Sequence, residues 1–138
     1  MEQAAPQKKH TILVVDDDRH VLESLLLLLS AHEYEVLTAD NAVAALDKLR
    51  NTYVDIVLTD IKMPGMDGLE LAGKIHDLDQ KIPVLIMTAY AGLEVAVSAI
   101  KRGAFDFIMK PINPEYLLHA VRKAGEFRDL KDLEINYT

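Results

Sequence analysis

The sequence of 138 residues has the length of one domain, and its 50% hydrophobic and 27% charged residues supply both a core and a solvated surface. A formal net charge of −7 and a pI near 5.1 argue against direct nucleic acid binding, which needs clustered lysine and arginine. The absence of cysteine excludes disulfide frameworks and thiolate metal sites, and the cytoplasm is the expected compartment.

Short apolar runs alternate along the chain with longer segments of helical periodicity. The apolar runs predict strands at residues 11–15, 34–38, 54–59, 82–87 and 105–109. The other segments predict helices at residues 19–32, 41–50, 69–78, 93–102 and 114–127. Asp40 and Asn113 are the candidate N-caps, and Gly103 lies just past the fourth helix. This alternation predicts an open, doubly wound α/β fold around a parallel sheet.

No segment has the pattern of a membrane span. The longest apolar stretch, within residues 21–31, is interrupted by Glu23 and Ser24 and falls far short of the ~20 residues that cross a bilayer. We therefore expect a core helix there and no contact with a membrane.

Polar residues follow four of the predicted strands, at the edge of the sheet where such folds bind ligands. They are Asp16, Asp17 and Asp18 after the first strand, Asp60 after the third, Thr88 after the fourth and Lys110 after the fifth. Two carboxylates about 4 Å apart repel by roughly 4 kcal/mol at an effective dielectric near 20, so such a cluster needs a cation. Carboxylates and a backbone carbonyl suit Mg²⁺. Lys110 and Thr88 would neutralise and hydrogen-bond a phosphoryl group carried by a carboxylate.

Each of these residues also has an ordinary explanation when it is considered alone. Aspartates at the start of a helix often cap it. Asp60 could be a solvated loop acid, Thr88 an ordinary strand-end residue and Lys110 a surface charge. Because complementary groups end four separate strands, we interpret them together as one site.

Two peptide segments have special backbone chemistry. The loop after Asp60 contains Pro64 and Gly65, which would hold the backbone carbonyl of Lys62 close to Asp60. Lys110 precedes Pro111, and a proline lowers the cost of a cis peptide bond, which would orient the lysine side chain. The trans form is the expectation from its higher frequency.

Four strings in the sequence resemble the signature blocks of two-component response regulator receiver domains. They are ILVVDDD at 12–18, DIKMPGMDG at 60–68, MTA at 87–89 and KP at 110–111. The resemblance implies a flavodoxin-like sheet of five parallel strands in the order 2-1-3-4-5, with five helices. It also implies phosphotransfer from a histidine kinase or phosphotransfer protein to Asp60. The implied ligands of Mg²⁺ are Asp16, Asp17, Asp60 and the backbone carbonyl of Lys62.

The same resemblance assigns the switch. Thr88, Ala89 and Lys110 would bind the phosphoryl group, and Phe107 in the fifth strand would move with Thr88. Phe107 lacks the hydroxyl that many relatives have, and an ordinary core aromatic is the alternative. The string GAFDFI at 103–108, with AVSAI at 96–100, resembles receivers of nitrogen-regulator-type transcription activators.

The resemblance also divides the chain. Residues 1–9 are predicted to be a flexible leader and residues 10–127 the receiver domain. Residues 128–138 are predicted to be a helical extension or a linker toward an output domain. A homodimer through the fourth helix, fifth strand and fifth helix is the expected assembly. The chain would be a signalling domain rather than an enzyme, catalysing only its own phosphotransfer and autodephosphorylation.

Three other functions are alternatives for this sequence. A haloacid-dehalogenase-type phosphohydrolase would use Asp16, Asp18, Thr88 and Lys110, but the chain is too short for a cap domain and Asp60 would be unexplained. A flavin module would need a phosphate-binding loop after the first strand, which is absent from the sequence. A degenerate receiver that only binds partners is disfavoured because the acids, Thr88 and Lys110 are all present.

Overall fold

A computed structural model of the chain describes residues 9–89 and 93–137, and within them five strands alternate with five helices. The strands are β1 Thr11–Val15, β2 Glu35–Ala39, β3 Ile56–Asp60, β4 Val84–Thr88 and β5 Asp106–Met109. The helices are α1 Arg19–Ala31, α2 Ala42–Asn51, α3 Gly68–Leu78, α4 Leu93–Lys101 and α5 Pro114–Tyr137. The strands pair in parallel in the order β2-β1-β3-β4-β5, which confirms the predicted flavodoxin-like fold.

Helices cover both faces of the sheet, so alternate strand residues enter two separate cores. On one face, Ile12 and Leu58 pack with Leu29 of α1 and Val121 of α5. On the other face, residues such as Val57 pack among α2, α3 and α4. Burial of one such side chain stabilises the fold by about 1.5–3 kcal/mol. Because both faces of each strand are buried, the strands are near-continuous apolar runs in the sequence.

The helix ends show which predicted caps are correct. Asn113 accepts from the backbone N–H of Tyr116 at 3.2 Å, and Gly103 follows α4 with a φ of +96°, as predicted. The prediction of Asp40 as an N-cap is wrong. The cap of α2 is Asn41, which accepts from the N–H of Ala44 at 2.8 Å and donates to Asp40 at 2.7 Å. Asn41 is the cap because α2 begins at Ala42, so that residue 41 and not residue 40 stands at the N-cap position.

The structure describes more of the carboxyl-terminal segment of the chain than of the amino-terminal one. Residues 1–8 of the predicted leader lie outside the described residues. At the other end, α5 continues past residue 127, where the periodicity predicted its end, to Tyr137. Of the two alternatives predicted for residues 128–138, a helical extension or a linker, residues 128–137 form the helical extension. None of the described helices is both long and apolar enough to cross a membrane.

Candidate functional site

Three aspartates meet at the carboxyl edge of the sheet. Asp16 follows β1 and Asp60 ends β3, and these strands are paired with Val15 opposite Thr59, so the two acids lie side by side. One carboxylate oxygen from each of Asp16, Asp17 and Asp60 lies within 4.8 Å of the others. In the part of the chain that the structure describes, this is the one such group of three or more histidine, cysteine or acidic side chains.

The aspartates of the triplet after β1 have different environments. Asp16 is fully buried, and its Oδ1 accepts from the backbone N–H of Asp18 at 2.9 Å. Asp17 is exposed and turns its carboxylate to the cluster. Asp18 caps α1 by accepting from the N–H of His20 at 2.9 Å, so the capping explanation holds for this residue. Asp18 was the second acid of the hydrolase alternative, and it stands outside the three-carboxylate cluster.

Lys110 reaches back over these carboxylates from the end of β5. Its Nζ lies 2.9 Å from Asp16 Oδ2 and 3.3 Å from Asp60 Oδ1. Its backbone N–H donates to the carbonyl of Thr88 at 2.8 Å, which holds the ends of β4 and β5 together. The peptide between Lys110 and Pro111 is cis, whereas the base rate favoured trans.

The remaining predicted switch residues lie at the end of β4, directly after it, or on β5. Thr88 is the last residue of β4 and is buried, whereas Ala89 after it is exposed. Phe107 is half-buried on β5 and packs against the core cluster that includes Ala99 of α4. The structure therefore places Thr88 at the same edge as the acids and Phe107 in the layer under α4.

The loop between β3 and α3 passes close to Asp60. Gly65 has a φ of +79°, which disfavours any side chain there. A Cβ on Gly68 would collide with the backbone carbonyl oxygen of Asp60, and the Gly68 N–H donates to the carbonyl of Ile61 at 2.8 Å. Gly68 is thus a positioning residue that sequence reasoning did not single out. Its available signal was a glycine directly after Asp67, the N-cap of α3.

The electrostatics of the cluster call for a further cation. Burial and the neighbouring charge of Asp16 raise the pKa of Asp60 above its ordinary value, although Lys110 opposes the shift. Burial lowers the pKa of Lys110, but the hydrogen bonds and charges of Asp16 and Asp60 outweigh it and raise the pKa overall. Three carboxylates and one ammonium leave two negative charges, which a divalent cation would balance. The hard oxygen donors fit Mg²⁺.

Comparison with known proteins gives matches over most of the chain. The family model described as the response regulator receiver domain matches residues 12–122. The transcriptional regulatory protein ZraR of Klebsiella oxytoca is 46% identical over 92% of this chain, which covers 29% of that protein. The C4-dicarboxylate transport transcriptional regulatory protein DctD of Pseudomonas aeruginosa is 36% identical over 86% of this chain and 26% of its own length. The chain thus spans less than a third of these relatives.

Solved structures share the fold closely. The CheY-like receiver domain protein of Methanospirillum hungatei superposes with a TM-score of 0.85 at 36% identity, over 90% of this chain and 99% of that one. NtrX of Brucella abortus gives a TM-score of 0.88 at 33% identity, over 95% of this chain and 30% of that one. These relatives confirm the predicted similarity to receivers of nitrogen-regulator-type proteins.

Proposed function

This chain belongs to the response regulator receiver domain family, and on that premise we propose that it is a phosphorylation-activated switch that accepts a phosphoryl group on Asp60. The observation that carries the proposal is the cluster in which Asp16, Asp17 and Asp60 meet under the ammonium of Lys110. Such a cluster provides a carboxylate nucleophile, a cation site and a counter-charge at one edge of the sheet.

The transfer step follows from these groups. A carboxylate oxygen of Asp60 attacks the phosphorus of a phosphohistidine, the P–N bond breaks, and the histidine nitrogen leaves with the electron pair. Asp16, Asp17, Asp60 and the carbonyl of Lys62 would hold Mg²⁺, which supplies charge neutralisation for the phosphoryl oxygens. Lys110 would exchange its contact with Asp60 for the new phosphoryl oxygens, and the Thr88 hydroxyl and the backbone at Ala89 would complete their binding.

The direct test is phosphorylation by a small acyl phosphate. Incubation of the chain with acetyl phosphate and Mg²⁺ should add one phosphoryl group, seen as a gain of about 80 Da in the intact mass. Chelation of the metal by EDTA should suppress the gain. A chain that gains no mass under these conditions would count against the proposal, as would turnover of a phosphate ester.

Lys110 should be needed for switching but not for binding the metal. We expect Lys110→Ala to bind Mg²⁺ but to lose the amide shifts that beryllofluoride, a mimic of the phosphoryl group, produces around Thr88 and Phe107. The reason is that the ammonium pairs with the incoming oxygens through charge-assisted hydrogen bonds. Two-dimensional NMR of the parent and the variant measures this, with Lys123→Ala, an exposed lysine on α5, as the control. Parent-like shifts in Lys110→Ala would remove the coupling role.

We further propose that phosphorylation changes self-association through α4, β5 and α5. The described exposed apolar side chains on these elements are Val97, Ile100, Met109, Tyr116, Leu130 and Leu133. An isologous contact would bury them against a second copy, and differential stabilisation of about 1–3 kcal/mol would shift the monomer–dimer balance by roughly 5- to 150-fold.

Sedimentation velocity with and without beryllofluoride tests the assembly. The parent should sediment faster with the mimic, and Ile100→Asp should abolish the change because it places a charge in the contact. Val43→Asp on α2, an exposed apolar position outside the proposed contact, should behave like the parent. Equal sedimentation of the parent in both states would contradict phosphorylation-driven association of this chain.

The partners follow from the family and not from the site alone. We propose that a sensor histidine kinase or a phosphotransfer protein supplies the phosphoryl group. An output domain is proposed to follow this segment, because the similar regulators are over three times longer than the matched part. Control of transcription by that domain, in the cytoplasm, is the proposed role of the whole protein.

A further inference from the structure

The second half of α5 lies across the edge of the sheet opposite the aspartate cluster, where the strands begin. Its residues contact the segments that lead into four strands. Before β1, His10 Nε2 lies 2.9 Å from Asp129 Oδ1, and before β3 the carbonyl of Val54 accepts from Arg128 Nη1 at 3.1 Å. Before β4, Lys81 Nζ lies 3.8 Å from Asp132 Oδ1. Before β5, the ring centroids of Phe105 and Phe127 are 5.1 Å apart. The helix is therefore anchored beyond residue 122, where the family match ends.

Arg128 is the centre of this anchoring. Only 2% of the residue is exposed, which arginine tolerates only when it is paired. Its Nη1 donates to the Val54 carbonyl at 3.1 Å, its Nη2 to the Tyr53 hydroxyl at 2.9 Å, and its Nε to Asp132 at 3.2 Å. The planar guanidinium thus holds three groups in fixed directions, which a lysine could not do.

The charges around Arg128 balance. Asp55 is fully buried, lies 4.0 Å from the Arg128 Nε and accepts from the Thr11 N–H at 2.8 Å. Asp132 is shared between Arg128 and Lys81. Two cations and two carboxylates therefore neutralise one another at the junction of α5 with β1, β3 and the loop before β4.

Gly125 leaves room on α5 for the side chain of His10. A Cβ at this position would lie 2.8 Å from His10 Cε1, so a larger residue would displace the imidazole ring that contacts Asp129. A glycine inside a helix costs about 1 kcal/mol relative to alanine. The close packing of the His10 ring against Gly125 explains why a glycine stands here despite this loss of helix stability.

We propose that residues 125–132 belong to the receiver fold and that Arg128 fixes the rotation of α5, so that the chain leaves the domain in one orientation. At 3.6 residues per turn, Leu130 and Leu133 lie about 200° and about 140° around the helix from Arg128. Both are exposed, at 61% and 50%. By fixing the rotation of α5, Arg128 therefore turns Leu130 and Leu133 outward and sets the direction of whatever segment follows.

Pulsed electron spin resonance tests the orientation directly. The chain has no cysteine, so Val43→Cys on α2 and Leu133→Cys on α5 give one labelled pair, both at exposed positions. The labelled protein is diluted with unlabelled chain to suppress distances between molecules. We expect one narrow distance distribution in the parent background and a broadened one with Arg128→Met. Arg122→Met, at an exposed arginine on the same helix, should keep the narrow distribution.

Urea unfolding gives the second readout. Removing one partner of a buried charge network should raise the unfolding equilibrium constant of Arg128→Met by about 100-fold or more, whereas Arg122→Met should stay within about 3-fold of the parent. If Arg128→Met does not fold, Arg128→Lys keeps the charge without the forked contacts and carries the distance measurement. A broad distribution in the parent, or an unchanged width in the folded Arg128 variant, would overturn the proposal. Neither readout depends on phosphorylation, so its failure is distinct from failure at Asp60.

Discussion

Replacement of Asp60 by asparagine is expected to abolish the mass gain of about 80 Da that acetyl phosphate and Mg²⁺ produce in the parent chain. The amide has no carboxylate oxygen to attack phosphorus, and the substitution also removes a negative charge from the cluster. Asp16 cannot readily substitute for it, because Asp16 is fully buried and engaged by both Lys110 and the Asp18 N–H.

Intact mass measured over a time course decides the assignment. Asp77→Asn, an exposed aspartate on α3, makes the same chemical change away from the cluster and should be phosphorylated like the parent. If Asp60→Asn retained the gain, the phosphoryl group would have to reside on another residue and the assignment of Asp60 would be wrong.

The same substitution should stabilise the metal-free protein at neutral pH. The folded-state pKa of Asp60 is raised by burial and by the charge of Asp16. The folded state therefore holds that proton more tightly than the unfolded state, and the contribution of Asp60 to stability falls as pH rises from its ordinary pKa through the raised one. In EDTA, urea unfolding should show Asp60→Asn more stable than the parent at neutral pH, with the difference shrinking in acid. If the stability difference between Asp60→Asn and the parent were the same at neutral and acid pH, the repulsion between Asp16 and Asp60 would be contradicted.

Replacement of Asp17 by alanine should be the most damaging change to metal binding that leaves the core intact. Asp17 is the exposed member of the three-carboxylate cluster, so its removal takes away one carboxylate of the proposed metal site without opening a cavity. We expect the affinity for Mg²⁺ to fall by about 10- to 100-fold or more, because even residues that only support metal ligands contribute this much.

Titration of Mg²⁺ followed by the amide signals near Asp16 and Asp60 measures the effect. Asp18→Asn provides the matched control in the same triplet, since asparagine caps a helix as well as aspartate and Asp18 stands outside the cluster. Equal affinity in Asp17→Ala and the parent would return Asp17 to an ordinary residue at the start of a helix.

Local sequence signals were sufficient for the element order and for the edge of the sheet that carries the acids. Burial on both faces makes parallel strands into apolar runs, and parallel pairing brings the carboxyl ends of the strands together. The location of Asp16 and Asp60 in the fold could therefore be predicted, because each stands at the end of an apolar run in the sequence. The errors were local. Asp40 and Asn41 are both good caps, and only the backbone at the start of α2 decided between them.

The course of α5 depended on the tertiary structure. From the sequence, Arg128 lies in the segment predicted to be a helical extension or a linker, next to Asp129 and near Lys131 and Asp132, and no local pattern places it in the interior. Its hydrogen-bond partner at Val54 is 74 residues away, and no periodicity reports such a pairing. The sequence by itself determined the strands and the chemistry at their ends, because hydrophobic burial and parallel pairing act through local pattern. Only the folded chain decided that Arg128 is buried, because a guanidinium enters the interior when distant carboxylates and carbonyls are already in place to receive it.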